Sequence, residues 1–383
     1  TATGTDTNYS LTFVPGSLIV NPAPLTVTAN SRSKTYGDTM TFTGTEFSTS
    51  GLKNSQTATS ATFTTSGAIS TAAEGSSPYT IIPSALTGGT FNASNYTITY
   101  VNGALTVNKA PLTITANSFT KTYGDTITLT GNEFSTNGLK NSETTSSATL
   151  TTTGAVATAP YSSTPYSITP SAITGANGFN TNNYTITYVN GGINVSKAPL
   201  SVTANSYIKT YGDLMTFSGT EFSTSGLKNS ETATNATITS LGAPATASYS
   251  SSAYAITPSA LTGGTFNASN YSITYNTGSL TVNKAPLTVT ANSYTKIYGD
   301  TLTLMGSEFS TSGLKNNETA TTATLTTLGG VPTAGYSSTP YAITPSAISG
   351  GTFSVNNYDI NYVNGGLTVG RAPLAVTANS FVK

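Results

Sequence analysis

An all-β fold, mostly antiparallel and arranged as a tandem array, is what this sequence predicts, and three observations carry the prediction. Prolines 24, 111, 199, 286 and 373 open near-identical stretches, so the chain repeats with a period near 87 residues; a fixed period decides architecture before any local motif does. Within each period apolar residues alternate with threonine, as in Leu112-Thr113-Ile114-Thr115-Ala116, the pattern of a half-buried strand with β-branched residues turned outward. No stretch sustains the helical period, and about seven short runs per repeat, separated by turn residues, describe a β domain.

One repeat stands for all. Leu112–Ala116 is the first strand, and Tyr123-Gly124-Asp125 supplies a turn, with glycine tolerating positive φ and aspartate able to bond its own backbone. Ile127–Gly131 reads as the second strand, ending near Phe134. Gly138–Glu143 is polar and compact and reads as a loop in preference to a single helical turn. Ala148–Thr152 is the third strand and Tyr166–Pro170 the fourth, with Pro170 marking its end or a sheet edge. Asn183–Tyr188 and Ile193–Val195 flank Asn190-Gly191, the strongest short hairpin signal. The extra residue of the second repeat falls at Ala176-Asn177-Gly178, which marks a surface turn.

The repeats therefore span 23–109, 110–197, 198–284 and 285–371. Residues 1–22 align with the end of a repeat and 372–383 with the first strand of another, as expected of a segment from a longer array. No Gly/Ser tract separates neighbours: Val107-Asn108-Lys109-Ala110-Pro111-Leu112 runs straight from one repeat into the next. So short a link, with proline, limits bending. Four units in line predict a rod longer than about 100 Å from the rise of their strands.

Composition narrows the function. Charged residues are 7% of the chain, with 14 Lys plus Arg against 14 Asp plus Glu, so nothing grips a nucleic-acid backbone. There is no Cys, His or Trp, which removes disulfides, thiolate metal sites and the usual general base. No Gly-x-Ser-x-Gly elbow and no Asp-x-Asp-x-Asp run occurs. No apolar run reaches membrane-spanning length. The chain is read as a non-enzyme, with no catalytic, cofactor or metal residue assigned and no cofactor required. A surface solvated by Ser, Thr and Asn suits an extracellular wall or biofilm.

The recurring charges are few. Asp38, Asp125, Asp213 and Asp300 close the Tyr-Gly turn; Glu46, Glu133, Glu221 and Glu308 precede phenylalanine; Glu143, Glu231 and Glu318 follow a Leu-Lys-Asn segment, with Gln56 in the first repeat. Cations occupy three registers: Lys34, Lys121, Lys209 and Lys296; Lys53, Lys140, Lys228 and Lys315; Lys109, Lys197, Lys284 and Arg371. The leading reading is turn capping and surface solvation. Behind it stand ion pairs between repeats, then a Lys–Asn isopeptide bond with glutamate as proton shuttle. Tyr36, Tyr79, Tyr96 and Tyr100 recur with slight variation and read first as core and edge packing with the hydroxyl at the rim, second as sugar-stacking platforms. Asn-x-Ser/Thr sequons occur at Asn95, Asn183 and Asn270, and also at Asn92, Asn235, Asn267 and Asn317.

The run Ala-Pro-Leu-Thr-Val-Thr-Ala-Asn, then Lys-Thr-Tyr-Gly-Asp, Gly-Leu-Lys-Asn-Ser-Glu-Thr and Asn-Tyr-Thr-Ile-Thr-Tyr-Val-Asn-Gly resembles the MBG repeat domain of the YGX type over the whole chain. Tyr-Gly-Asp at 36–38, 123–125, 211–213 and 298–300 is the most specific mark, and Asn141-Ser142-Glu143-Thr144 departs from the Gly-Asp-Thr usual in the family. The resemblance implies a β-sandwich, β-grasp-like or immunoglobulin-like module used in tandem in large secreted bacterial adhesins. It transfers no binding residue. The expected role is a stiff stalk or fibre at the cell surface; the competing one is a glycan- or surface-binding module acting by avidity. The expected partner is self, paired through exposed sheet edges such as Leu112–Ala116 and Tyr184–Tyr188; glycans and cell surfaces are the other candidates, and nucleic acid and membrane are not.

Overall fold

The computed structural model describes residues 3–5 and 7–380. Each repeat contributes seven strands to two sheets. In the first repeat these are β1 (Ala23–Ala29), β2 (Arg32–Thr35), β3 (Phe47–Ser50), β4 (Ser60–Thr64), β5 (Tyr79–Thr87), β6 (Tyr96–Val101) and β7 (Gly103–Asn108). The second repeats the pattern as β8 (Ala110–Ala116), β9 (Phe119–Thr122), β10 (Phe134–Asn137), β11 (Thr144–Thr151), β12 (Tyr166–Ala176), β13 (Tyr184–Val189) and β14 (Gly191–Ser196).

The smaller sheet has the order β3-β1-β6 and the larger β2-β7-β5-β4. β1 is central: it runs antiparallel to β3 and parallel to β6. In the larger sheet β2 runs parallel to β7, while β5 is antiparallel to both β7 and β4. Each repeat is therefore mixed, with antiparallel pairs in the majority. Alternation sets the faces: Leu25, Val27 and Ala29 are buried along β1 while their neighbours are not. Ala29, Ile81 and Leu105 form one apolar cluster, and Leu25, Val27, Ala61, Leu86 and Tyr96 another, with Phe63 packed against both.

Four expectations are corrected. The Asn-Gly pairs do not turn hairpins: β6 and β7 lie in different sheets, as do β13 and β14. Glycine is needed there for close approach, since a Cβ on Gly103 would sit 2.7 Å from the Ala29 carbonyl oxygen and one on Gly191 2.3 Å from that of Asn117. The chain crosses between sheets over the bend that joins the first two strands of its repeat. Ile127–Gly131 forms no strand; Gly131, at φ 92°, breaks the extended run, and the strand begins at Phe134. Its place in the larger sheet is taken by β9, which precedes the Tyr-Gly turn.

Pro170 neither ends a strand nor lies on an edge. β12 runs through it as an inner strand, paired with β14 over Tyr166–Ile168 and with β11 from Thr169 onward. The imide thus falls where the strand changes partner, and two residues later Ala172 takes φ 47°. Leu112–Ala116 is likewise no edge, because β8 is covered by β10 on one side and β13 on the other; Tyr184–Tyr188, in β13, is one. Residues 371–380 carry no strand, and neither do the described residues up to Pro22. In a complete repeat the first strand and the sixth pair with one another, as β1 does with β6; these two flanking segments have no such partner within the fold. Phe381, Val382 and Lys383, the end of the expected following strand, lie outside the described residues.

The chain forms two compact units, one of Thr1–Lys121 with Asp125–Val195, the other of Thr122–Gly124 with Ser196–Lys383. Inside the first unit the core does not stop at the repeat boundary: Tyr36, Ala72 and Val107 of the first repeat pack in one cluster with Ala110, Leu112, Ile114, Ala148, Ile173 and Tyr184 of the second. The second unit does the same, with Tyr211 and Val282 joining Ala285, Leu287, Val289, Ile348 and Tyr358.

Candidate functional site

The most built polar site of the molecule lies where one repeat meets the next. Its first half is the Tyr-Gly-Asp turn. β2 ends at Thr35; the Tyr36 amide then bonds the Asn108 carbonyl at 2.8 Å and the Asp38 amide bonds that of Thr35 at 3.0 Å. Gly37, at φ 89°, adopts the left-handed backbone that glycine takes without strain. Lys34 fastens the turn from beneath. It is 8% exposed, and its Nζ donates to the Asp38 carbonyl at 2.8 Å and to the Ile69 carbonyl. Burial holds its pKa below the usual lysine value, against the pull of Asp38. Lys121, Lys209 and Lys296 repeat the arrangement.

The second half is the loop between β10 and β11. Asn141 and Ser142 take φ 51° and 58°, and the Glu143 amide closes the turn on the Lys140 carbonyl at 2.9 Å. This left-handed pair turns the Glu143 carboxylate inward, where it is 6% exposed. Tyr184, at the start of β13, accepts the Lys140 amide at 2.9 Å and donates its hydroxyl to Glu143 Oε2 at 2.6 Å. Tyr36 of the preceding repeat donates to Oε1 of the same carboxylate. The two rings meet edge-on, with centroids 5.6 Å apart and planes at 78°. One carboxylate thus receives a phenol from each repeat, and charge-assisted bonds of this kind are among the stronger ones. Burial first, and then the bond to Glu143, push the Tyr184 hydroxyl well above the normal tyrosine range.

Around the clamp the fit is close. The aliphatic stem of Lys140 lies over Gly37, where a Cβ would fall 2.5 Å from Cδ. Asn141 Nδ2 donates to the Ser70 carbonyl at 3.3 Å, and Asn183 Oδ1 accepts the Glu74 amide at 3.0 Å. In the second unit, which includes Thr122–Gly124, the clamp recurs as Tyr123–Glu231–Tyr271 and as Tyr211–Glu318–Tyr358. Lys228 and Lys315 cover Gly124 and Gly212 as Lys140 covers Gly37. Burial, with the bond to Glu231, pushes Tyr271 up to about 12. In the first repeat Gln56 holds the glutamate's place and accepts the Tyr96 hydroxyl at 2.6 Å.

The other sequence-marked residues sort by register. Glu46, Glu133, Glu221 and Glu308 do cap a turn: Glu133 accepts the Thr130 hydroxyl and amide and the Gly131 amide, and those bonds bring its pKa down to about 2. Asp213 and Asp300 accept amides at the start of their own turns. Lys284 lies over the Tyr249 ring and Arg371 over Tyr336, at 5.1 and 4.5 Å. Solvation is the wrong reading for Lys34 and Glu143. Nor do Glu143, Glu231 and Glu318 make the expected ion pairs across repeats; they meet phenols. The ion pair seen, Arg32 with Glu46 at 3.5 Å, is internal to one repeat. The Lys34-type ammonium groups aim at backbone carbonyls, and not at an asparagine side chain as an isopeptide bond requires.

Tyr36 and Tyr96 are core residues whose hydroxyls are paired inside, not left at a rim; Tyr79 donates to the Ala73 carbonyl and Tyr100 accepts the Leu86 amide. Asn183 and Asn270 are 4% exposed, so these two sequons are closed off in the folded array, whereas Asn95 is exposed. The link from Tyr36 to Glu143 was out of reach of strand alternation, since the partners belong to different repeats. The available signal was that Tyr-Gly-Asp and Asn-x-Glu recur in step. Among the described residues no helix is long and apolar enough to cross a membrane.

A family model described as MBG domain (YGX type) matches residues 25–106, 112–193, 200–281 and 287–368. Among solved structures, the chain shows similarity to Drosophila N-cadherin EC1-4 at 10% identity and TM-score 0.24, over 90% of this chain and 99% of that one. It also shows similarity to the M60 catalytic domain with CBM51-1 and CBM51-2 of Clostridium perfringens ZmpB at 8% identity and TM-score 0.14, over 95% and 40% of the two chains. At such scores neither bears on the fold. No curated protein matches.

Proposed function

The chain belongs to the MBG domain family of the YGX type in four consecutive repeats, and from that premise we propose that it is a structural segment of an extracellular bacterial surface or filament protein, serving as a stiff stalk. The observation that carries the reading is the buried carboxylate clamp of Tyr36, Glu143 and Tyr184. A flexible tether needs no polar bond buried across a repeat boundary. A stalk that must hold its direction does, because breaking the joint leaves two hydroxyls and a carboxylate without partners. The core shared between Val107 and Ala110 adds apolar burial to the same boundary. A neutral, hydroxyl-rich exterior with 7% charged residues suits a protein working outside the cell. The competing glycan-binding reading asks for an exposed aromatic patch in every repeat, and Tyr36 and Tyr96 are engaged inside instead.

Small-angle scattering of the 383-residue chain tests the proposal. A rod-like distance distribution, with one cross-section and a long linear tail, is the expected result. A compact particle, or the broad distribution of freely jointed domains, overturns it.

A further inference from the structure

The clamp has two halves, and the chain presents one of each unoccupied. At one end Tyr298 is 50% exposed, against 3% for Tyr36, Tyr123 and Tyr211. A Cβ on Gly299 would meet nothing within 4 Å, where Gly37, Gly124 and Gly212 each lie under a lysine stem. At the other end Lys53, Asn54, Gln56, Asn95 and Tyr96 line an open cleft of about 410 Å³. Asn95 is exposed there, while Asn183 and Asn357, in the same position of later repeats, are 4% exposed.

We propose that these two surfaces are partners, so that the fourth repeat of one copy docks on the first repeat of a second copy, head to tail. The occupant is argued from the chain itself, which shows the same two surfaces already seated on one another at Tyr36–Glu143 and at Tyr211–Glu318. By that geometry the Lys53 stem covers Gly299. The Asn54 side chain donates to the Pro332 carbonyl, as Asn316 does to Ala245 at 3.2 Å. Asn95 accepts the Tyr336 amide, as Asn357 accepts that of Tyr249 at 3.0 Å. The flanking segments up to Pro22 and from Ala372, exposed and without strands, swing aside to admit the partner.

Gln56 makes this joint unlike the internal ones. Its Oε1 already accepts Tyr96, so Tyr298 meets the amide Nε2 and accepts from it. The contact is neutral and weaker than a carboxylate clamp. A heterologous contact that does not close on itself propagates as a linear chain. The inference rests on the geometry of the joint and not on the stalk role.

Sedimentation equilibrium of the whole chain, over a wide concentration range, reads the average mass against the 39.0 kDa monomer. The expected result is a mass rising with concentration. Gln56→Glu, which restores the carboxylate, lowers the dissociation constant about tenfold, the worth of one charge-assisted hydrogen bond. Tyr298→Ser abolishes association, and Tyr298→Phe weakens it. Because Tyr298 is half exposed, neither variant threatens folding, and an unchanged melting temperature verifies this. A chain that stays monomeric even with Gln56→Glu overturns the proposal. So does association indifferent to both positions, which would place the contact on the sheet edges. Loss of association while the chain still scatters as a rod separates this inference from the stalk reading.

Discussion

Tyr36 and Glu143 stand 107 residues apart in the chain and share a buried hydrogen bond, the tyrosine hydroxyl donating to Oε1 of the carboxylate. Replacing Glu143 with alanine strands two buried hydroxyls, and the unmet desolvation of such groups costs about 1–3 kcal/mol each. We expect Glu143→Ala to lower the melting temperature of the chain by several degrees and Glu143→Gln, which keeps one acceptor, by less. A double-mutant cycle of Glu143→Gln with Tyr36→Phe isolates the pair. Strict additivity in calorimetry would show that the bond contributes nothing to the joint.

Gly37 and Gly299 form a matched test of why the Tyr-Gly motif needs glycine. Both have left-handed backbones, φ 89° and 102°, and both should lose about 1–2 kcal/mol to alanine from conformation alone. Only at Gly37 does a Cβ also strike Lys140, at 2.5 Å. Chemical denaturation should therefore find Gly37→Ala more harmful than Gly299→Ala, with the excess relieved by Lys140→Ala. Equal losses would mean that conformation alone selects the glycine.

Acid should loosen the chain through the turn-capping glutamates. Glu133 is brought down to about 2 by the Thr130 hydroxyl and its neighbouring amides, and Glu221 to about 2 by Ser218 hydroxyl and amide bonds that outweigh its burial. A depressed carboxylate stabilises the fold above its unfolded pKa, near 4.3, and that stabilisation is lost as pH falls through the folded value. Melting temperatures should decline progressively from about pH 4.5 towards pH 2. Glu133→Gln and Glu221→Gln together should flatten the decline; an unaltered profile in that variant would assign acid sensitivity elsewhere.

Alkali acts on the clamps with the opposite sign. Tyr271 is raised to about 12 by burial and by Glu231, whereas an unfolded tyrosine ionises near 10. Its contribution is complete below pH 10 and disappears as pH climbs towards 12. Spectrophotometric titration should show a class of phenols ionising only with unfolding, and conversion of Tyr271→Phe should remove one member of it. Titration of every phenol near pH 10 in the folded chain would contradict the geometry.

Lys34, Lys121, Lys209 and Lys296 are 7–9% exposed and fully used by carbonyls. A lysine-selective acylating reagent should spare them in the native chain while modifying the exposed Lys53 and Lys109. Peptide mass spectrometry before and after denaturation reads the difference. Rapid native labelling of the Lys34 register would refute its burial.

Strand alternation made the β class legible, and Leu112 and Ile114 are buried as their spacing requires. The partner of each strand was not legible, because pairing depends on where the chain crosses between sheets. Asn190-Gly191 carries the local signature of a hairpin, and the tertiary need for close approach to Asn117 overrides it. Lys34 and Glu143 looked like surface charges because burial of a charge follows from partners, and theirs are backbone carbonyls and phenols. Tyr123-Gly124-Asp125 was legible as a turn, but what rests on it belongs to another repeat.

Each complete repeat carries both a Tyr-Gly turn and a Lys-Asn-x-Glu loop, with the single exchange of Gln56 in the first. Because every repeat is at once plug and socket, duplication or loss of a whole period by unequal recombination leaves no mismatched interface behind. Gene length can then drift by multiples of one repeat while every surviving contact keeps its chemistry. Insertions of part of a period have no such licence, since they would separate a tyrosine from its carboxylate. Populations carrying this gene should accordingly differ in the number of repeats far more than in the spacing within them.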